Sequence, residues 1–210
     1  MSLLNLPKSV LDFPNNTPLL FPSVLVTEKI ISLYKNYGFK GDNNYLNLTK
    51  VQDDDKYIVV ISARNDTSVG HIYISWGRES SESNQSISDG GGFGYYPTEK
   101  EGIGRFYDNG ILLQESERHP EYKNVETKNL IINIDKEIYN STLHYRNYWS
   151  NNKDDKYFLL GKNCMTFVDD IATRIGLKTP SSFGGLTEYI TMPWKYLDQI
   201  IKLNEDMASR

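Results

Sequence analysis

The stretch "LLGKNCMTFVDDIATRIGL", residues 159–177, holds the single cysteine of a 210-residue chain and carries the marks of both ends of a helix. Asn163 stands where an N-cap belongs, because its side-chain oxygen can accept from the first free amides, and Gly176 with Pro180 closes the far end. Between them Phe167, Val168, Ile171, Ala172 and Ile175 recur at helical spacing, so one face of the segment faces a core. Cys164 comes four residues before Val168 and seven before Ile171, which puts it on that inward face at the helix mouth.

Upstream, "KYIVVISA" from Lys56 and "VGHIYISWG" from Val69 are β-branched and aromatic runs separated by the turn-prone "RNDTS", and they predict an antiparallel hairpin. Alternation along the second run puts Val69, His71, Tyr73 and Ser75 on one face and Ile72, Ile74 and Trp76 on the other. Residues 78–92 read as a polar loop leading into "FGYYP" and the glycine-punctuated "EGIGRFYDNGILLQ". "TKNLIINID" from Thr127 predicts a strand, "KEIYNSTLHYRNYWSNN" from Lys136 a helix, and a last amphipathic helix starts near Pro193. Residues 1–25, with four prolines, read as an irregular arm, followed by a short helix capped by Thr27 and ended by Gly38. The sum is an α+β chain, one domain over residues 1–210, with an antiparallel sheet packed against the cysteine-bearing helix.

Composition narrows the function. A formal charge of −4 argues against nucleic acid as a partner, and no apolar run is long enough to cross a bilayer. The opening "MSLLNLPKSVLDFPNN" lacks a basic segment followed by a long apolar one, so synthesis in the cytoplasm without a signal peptide is expected, with export by a non-classical or injecting route left open. One cysteine and three scattered histidines offer no metal-ligand spacing, and no cofactor is expected. The run "DGGGFGYYP" fails the spacing of a phosphate loop. It reads as a glycine-rich hairpin, or as a rim where Tyr95 and Tyr96 touch substrate. Asp169 and Asp170, adjacent on a helix, read as solvated.

A lone cysteine on an apolar helix face often packs as inert core. It reacts only as thiolate, which the free amides at a helix N-terminus favour, and it then needs a base within reach. Of the three histidines, His71 sits mid-strand on a rigid mount after Gly70, which leaves room beside it; His119 and His144 read as surface or packing residues.

Together, "LLGKNCMTFVDDIATRIGL" and "GHIYISWG" resemble the cysteine helix and histidine strand of the circularly permuted papain-like proteins, the group of permuted NlpC/P60 hydrolases, lecithin:retinol acyltransferase-like enzymes and PPPDE isopeptidases. The resemblance covers roughly residues 56–180. It implies a permuted papain-like fold with Cys164 as nucleophile, His71 as base, the amides at the start of the cysteine helix as oxyanion donors, and Asn163 as a cap close to the substrate. Many relatives place a further polar residue on the strand after the histidine. Here Tyr95 is the candidate to orient His71, with Ser75, Glu79 and Glu101 as alternatives.

The resemblance implies cleavage of an amide bond, with peptidoglycan stem peptides as the expected substrate and Gly70, Tyr96 and Asn163 as its contacts. An antibacterial effector of this kind would have an immunity protein as partner. The alternatives are acyl transfer or thioester hydrolysis on a lipid, an isopeptidase, and a binding module in which Cys164 is packing.

Overall fold

A computed structural model of the chain describes residues 41–50, 54–64, 70–80, 85–88, 92–99, 107–119, 125–152, 155–180 and 193–208; the expected arm over residues 1–25 and the helix after Thr27 lie outside them. The two β-branched runs pair as expected. Strand β2 (Lys56–Arg64) lies antiparallel to β3 (His71–Ser80), with Arg64 opposite His71 and Ser62 opposite Tyr73. Around this hairpin the sheet adds β1 (Asn43–Asn47), β4 (Gln85–Ser88), β5 (Phe93–Pro97), β6 (Tyr107–Gln114), β7 (Thr127–Ile134) and β8 (Lys156–Phe158). Their order is β1-β7-β2-β3-β5-β6-β8, with β4 paired to the far half of β3.

The sheet is mixed rather than purely antiparallel, because β1 runs parallel to β7. Asparagines fix that register: Asn129 donates to Asn43 at 2.8 Å and Asn133 to Asn47 at 3.3 Å. Strands β1, β4 and β6 are not among the predicted strands. The first two are polar, and β1 is held by side-chain amides as well as by its ladder, a device that β-propensity does not register.

Four α-helices, α1 (Glu115–Arg118), α2 (Lys136–Asn151), α3 (Cys164–Ile175) and α4 (Pro193–Leu203), and a 3-10 helix at Glu205–Ala208 complete the described residues. Helix α3 ends as its sequence dictates. Gly176 is left-handed at φ 89°, and its amide turns back to the carbonyls of Ala172 and Thr173. Phe167, Val168, Ile171 and Ala172 are fully buried and meet Ile72, Ile74 and Trp76 of β3 in one apolar core with Tyr139, Trp149, Tyr196 and Leu197 of α2 and α4. Each such large side chain withdraws enough apolar area to contribute about 1.5–3 kcal/mol. The expected α+β layering of a sheet on the cysteine helix is therefore present.

Alternation sends the other residues of β3 to the opposite face, where His71, Tyr73 and Ser75 are joined by Ser62 and Arg64 of β2. That face is buried as well, and at its His71 end it is polar. Strands β3 and β5 share a single ladder pair, Ile74 with Phe93, and toward His71 no further pair joins them.

Candidate functional site

Helix α3 starts on a full capping box. Asn163 Oδ1 accepts from the amides of Met165 at 2.9 Å and Thr166 at 3.4 Å, while Thr166 Oγ1 accepts from the Asn163 amide at 3.1 Å. Asn163 Nδ2 donates to the Leu159 carbonyl at 2.8 Å. With its carboxamide engaged on both sides and the residue 3% exposed, Asn163 is bound up in fixing the start of the Cys164 helix. The cap also takes two of the first-turn amides expected to serve an oxyanion, those of Met165 and Thr166; the amides that act on the thiol are those of Ile72, Met165 and Cys164.

Cys164 is buried, and its sulfur accepts from the backbone amide of Ile72, the residue after His71. The helix terminus alone would lower the thiol pKa. Burial outweighs it. Desolvation, with the Glu115 charge adding to it, pushes the thiol up to about 11 against the pull of the Ile72, Met165 and Cys164 amides, so at neutral pH the sulfur is protonated. The helix-terminus effect that the sequence points to is thus present and outweighed by burial.

On the polar face His71 has a partner the sequence did not disclose. Its Nε2 lies 3.1 Å from Oε1 of Glu115, the first residue of α1. Glu115 is 4% exposed, receives the Tyr96 hydroxyl at 2.5 Å on the same oxygen, and is paired through its other oxygen with the buried Arg64 guanidinium. Burial would raise its pKa, but His71, Arg64 and Tyr96 together win and hold it at about 2. An ionised carboxylate only accepts hydrogen bonds, so Nε2 of His71 carries the hydrogen and the basic nitrogen of the neutral ring is Nδ1. The Tyr96 ring stacks on the imidazole at 4.2 Å between centroids. Burial, and then the Glu115 charge, raise the Tyr96 hydroxyl well above its ordinary value, which keeps it a donor. Arg118 of α1 lies over the other part of this assembly, 5.3 Å from the Tyr96 ring centroid, and donates to the Pro97 carbonyl at 3.0 Å.

Tyr95, the expected orienter of His71, lies elsewhere. Neighbours on a strand face opposite ways, and Tyr95 turns into the apolar core against Trp149 at 4.8 Å and Tyr157 at 5.7 Å. Among the described residues its buried hydroxyl has no hydrogen-bond partner. The orienting role belongs to Glu115 with Tyr96, which moves Tyr96 from substrate contact to support of the imidazole. Gly70 has a backbone reason to be glycine: φ is +72°, and a Cβ there would lie 2.8 Å from the Arg64 carbonyl. Ser75 lies two positions along β3 from Tyr73, its Oγ unpartnered among the described residues. Glu101 lies outside the described residues. His119 is near the site, 5.5 Å from Tyr96 between rings.

Asp169 and Asp170 are not simply solvated. Asp169 accepts from the Tyr196 hydroxyl at 2.7 Å and Asp170 from Trp149 Nε1 at 3.2 Å, tying α3 to α4 and α2. Among the described residues there is no group of three or more His, Cys, Asp or Glu able to hold a metal, and no helix long and apolar enough to cross a membrane.

A clue to Glu115 was present. Arg64 ends the apolar run of β2, and a guanidinium carried into a sheet calls for a buried carboxylate. Comparison of the chain with protein-family models, curated proteins and solved structures finds no match in any of the three.

Proposed function

We propose that the chain is a cysteine hydrolase of amide bonds, with Cys164 as nucleophile, His71 as base and Glu115 as the residue that orients the base. What supports the reading is the Glu115–His71 pair at 3.1 Å on the strand residue next to Ile72, whose amide meets the Cys164 sulfur. The buried carboxylate selects the tautomer with hydrogen on Nε2, as a general base attacking through Nδ1 requires.

Because the resting thiol is neutral, the proton moves as the bond forms. Sulfur attacks the carbonyl carbon while its proton passes to Nδ1, and the Cys164 amide faces the developing oxyanion. The C–N bond then breaks, Nδ1–H protonates the leaving amine, and a thioester remains on Cys164. Water, deprotonated by His71, attacks the thioester and releases the acid and the thiol. In this reading Glu115 stays ionised throughout and stabilises the imidazolium. The substrate class is the peptidoglycan stem peptide, as the resemblance of the two motifs implies.

The experiment is digestion of purified peptidoglycan by the full chain and by Cys164→Ala. New free amines from the wild type alone are expected, and their absence from both would sink the reading. One observation favours a second reading, a non-catalytic domain with a packed thiol: Cys164 is buried as a member of the apolar core. A substrate-derived thioester trapped on Cys164 and read by mass spectrometry separates the two.

A further inference from the structure

Cys164 is buried, and the sheet is least continuous beside it. Strands β2 and β3 pair from Lys56 with Glu79 to Arg64 with His71, and β5 and β6 pair along the whole of β5. Between these two blocks, β3 and β5 share only Ile74 with Phe93. Had that ladder run on, its register would set Ile72 against Tyr95 and His71 against Tyr96. The Ile72 amide donates to the Cys164 sulfur instead. Side chains stand where the ladder stops. His71 of β3 and Arg64 of β2 both reach across to Glu115, which follows β6; the Tyr96 ring of β5 lies on the imidazole, and Arg64 Nη2 is 3.4 Å from the Tyr96 hydroxyl. Bare backbone makes room for them, since a Cβ at Gly92 would lie 2.6 Å from the Tyr73 ring, as one at Gly94 would meet His71.

We propose that the His71 end of this seam is a gate to Cys164: β3 and β5 part there, pivoting on the Ile74–Phe93 pair, and the sulfur gives up the Ile72 amide as they do. A backbone ladder opens cooperatively, each bond backed by the next, whereas contacts between side chains break locally. The groups that close the seam are also those that water receives best. The Glu115 carboxylate, the Arg64 guanidinium and the imidazole are each desolvated where they meet, so parting them returns hydration that burial withdrew. Strand β3 itself is held in place, by β2 along one edge and by β4 along the far half of the other. Part of the packing behind β5 travels with it, because Tyr95 rests on Tyr157 of β8, and β8 is joined to β5 through β6. The gate concerns access and not chemistry. It stands or falls whether Cys164 is a nucleophile or inert.

The experiment is amide hydrogen exchange of the full chain, read residue by residue by NMR without denaturant and in sub-denaturing urea. Two neighbouring amides serve as reporters. The Ile72 amide faces the seam and the Tyr73 amide faces β2, because successive residues of a strand direct their amides to opposite edges. Corrected for intrinsic rates, Ile72 is expected to exchange about tenfold faster than Tyr73 or more, with a smaller urea dependence because a local opening exposes less surface. Glu115→Gln removes the charge that closes the seam, and Gly92→Ala wedges the Tyr73 ring without touching a charged group. Each should speed Ile72 exchange by about tenfold or more, and alkylation of Cys164 at the same pH should rise by the same factor. Ile131→Val, buried in β7 away from the seam, should speed Tyr73 and leave Ile72 as it was. Equal rates and urea dependence for Ile72 and Tyr73, Ile72 exchange unmoved by the seam variants, alkylation unmoved while Ile72 exchange rises, or an Ile131→Val effect shared equally by both amides would each overturn the gate. If Glu115→Gln does not fold, Gly92→Ala carries the same test.

Discussion

Gly94 and His71 stand so close that a Cβ at position 94 would lie 2.2 Å from the imidazole Nε2, and 2.5 Å from Oε1 of Glu115. The hydrogen bond between imidazole and carboxylate passes over bare backbone. Gly94→Ala is expected to push the ring off Glu115 and lower kcat/KM on the peptide substrate by about 10²–10⁴, the usual worth of a positioned acid–base group. Gly161→Ala, where the nearest contact is the edge of the exposed Phe158 ring at 2.8 Å, provides a comparison with the same added methyl away from the imidazole. Equal kinetics for Gly94→Ala and the wild type would show that the pair has no part in turnover.

Glu115 links the site to stability. Its pKa is about 2 in the folded chain against an ordinary value near 4.5, so its stabilisation is present above about pH 4.5 and is lost as pH falls toward 2. The shift corresponds to something on the order of 3 kcal/mol. Glu115→Gln also leaves the buried Arg64 without its counter-charge, a change that typically costs about 3–5 kcal/mol. Urea unfolding at pH 7 is expected to show the variant less stable by a few kcal/mol, and the gap is expected to narrow when the same measurement is made at pH 3. A gap independent of pH would mean that the carboxylate is not ionised in the fold.

The helix around Cys164 was legible from its own residues, while the partner of His71 was not. Asn163 and Gly176 act through neighbours one to five positions away, so a single sequence carries the whole argument for that helix. Glu115 acts on residues 44 and 51 positions distant, from a four-residue helix inside what reads as a solvated run. Tyr95 and Tyr96 show the same limit more sharply. Alternation says that they face opposite ways, yet which one faces His71 depends on the pairing of β5 with β3 and β6, and one residue of slip exchanges them. Strand β1 was missed because asparagine amides hold it in addition to its ladder.

The protonated thiol sets an alkylation profile. With a pKa near 11, Cys164 has about a hundredfold less thiolate at pH 7 than an ordinary cysteine, so iodoacetamide should modify it about that much more slowly than it modifies a free thiol. The rate is expected to climb about tenfold per pH unit through pH 9. The raised pKa also favours the fold below about pH 9 and ceases to do so as pH rises through 11. Rapid labelling at pH 7 with no dependence on pH would place the thiol in another environment. Stoichiometry is followed by mass spectrometry, and far-UV circular dichroism at each pH shows that the folded chain is being labelled.

The two adjacent tyrosines give opposite expectations for the same one-atom deletion. Tyr96→Phe removes the hydroxyl that donates to ionised Glu115 at 2.5 Å and keeps the ring stacked on His71. A hydrogen bond to a charged group is worth about 1.5–3 kcal/mol, and the variant should lose stability in that range. Tyr95→Phe removes a buried hydroxyl that has no partner among the described residues, between Trp149 and Tyr157. An unsatisfied buried polar group costs about 1–3 kcal/mol, so this variant should match the wild type or exceed it. The proposed mechanism adds a kinetic distinction: Tyr96→Phe weakens the carboxylate that steadies the imidazolium and should shift the acid limb of the kcat/KM profile, while Tyr95→Phe should leave that limb in place. Thermal unfolding and pH profiles of both variants check the pair of signs, and a reversal of either would mean that the opposite tyrosine supports the imidazole.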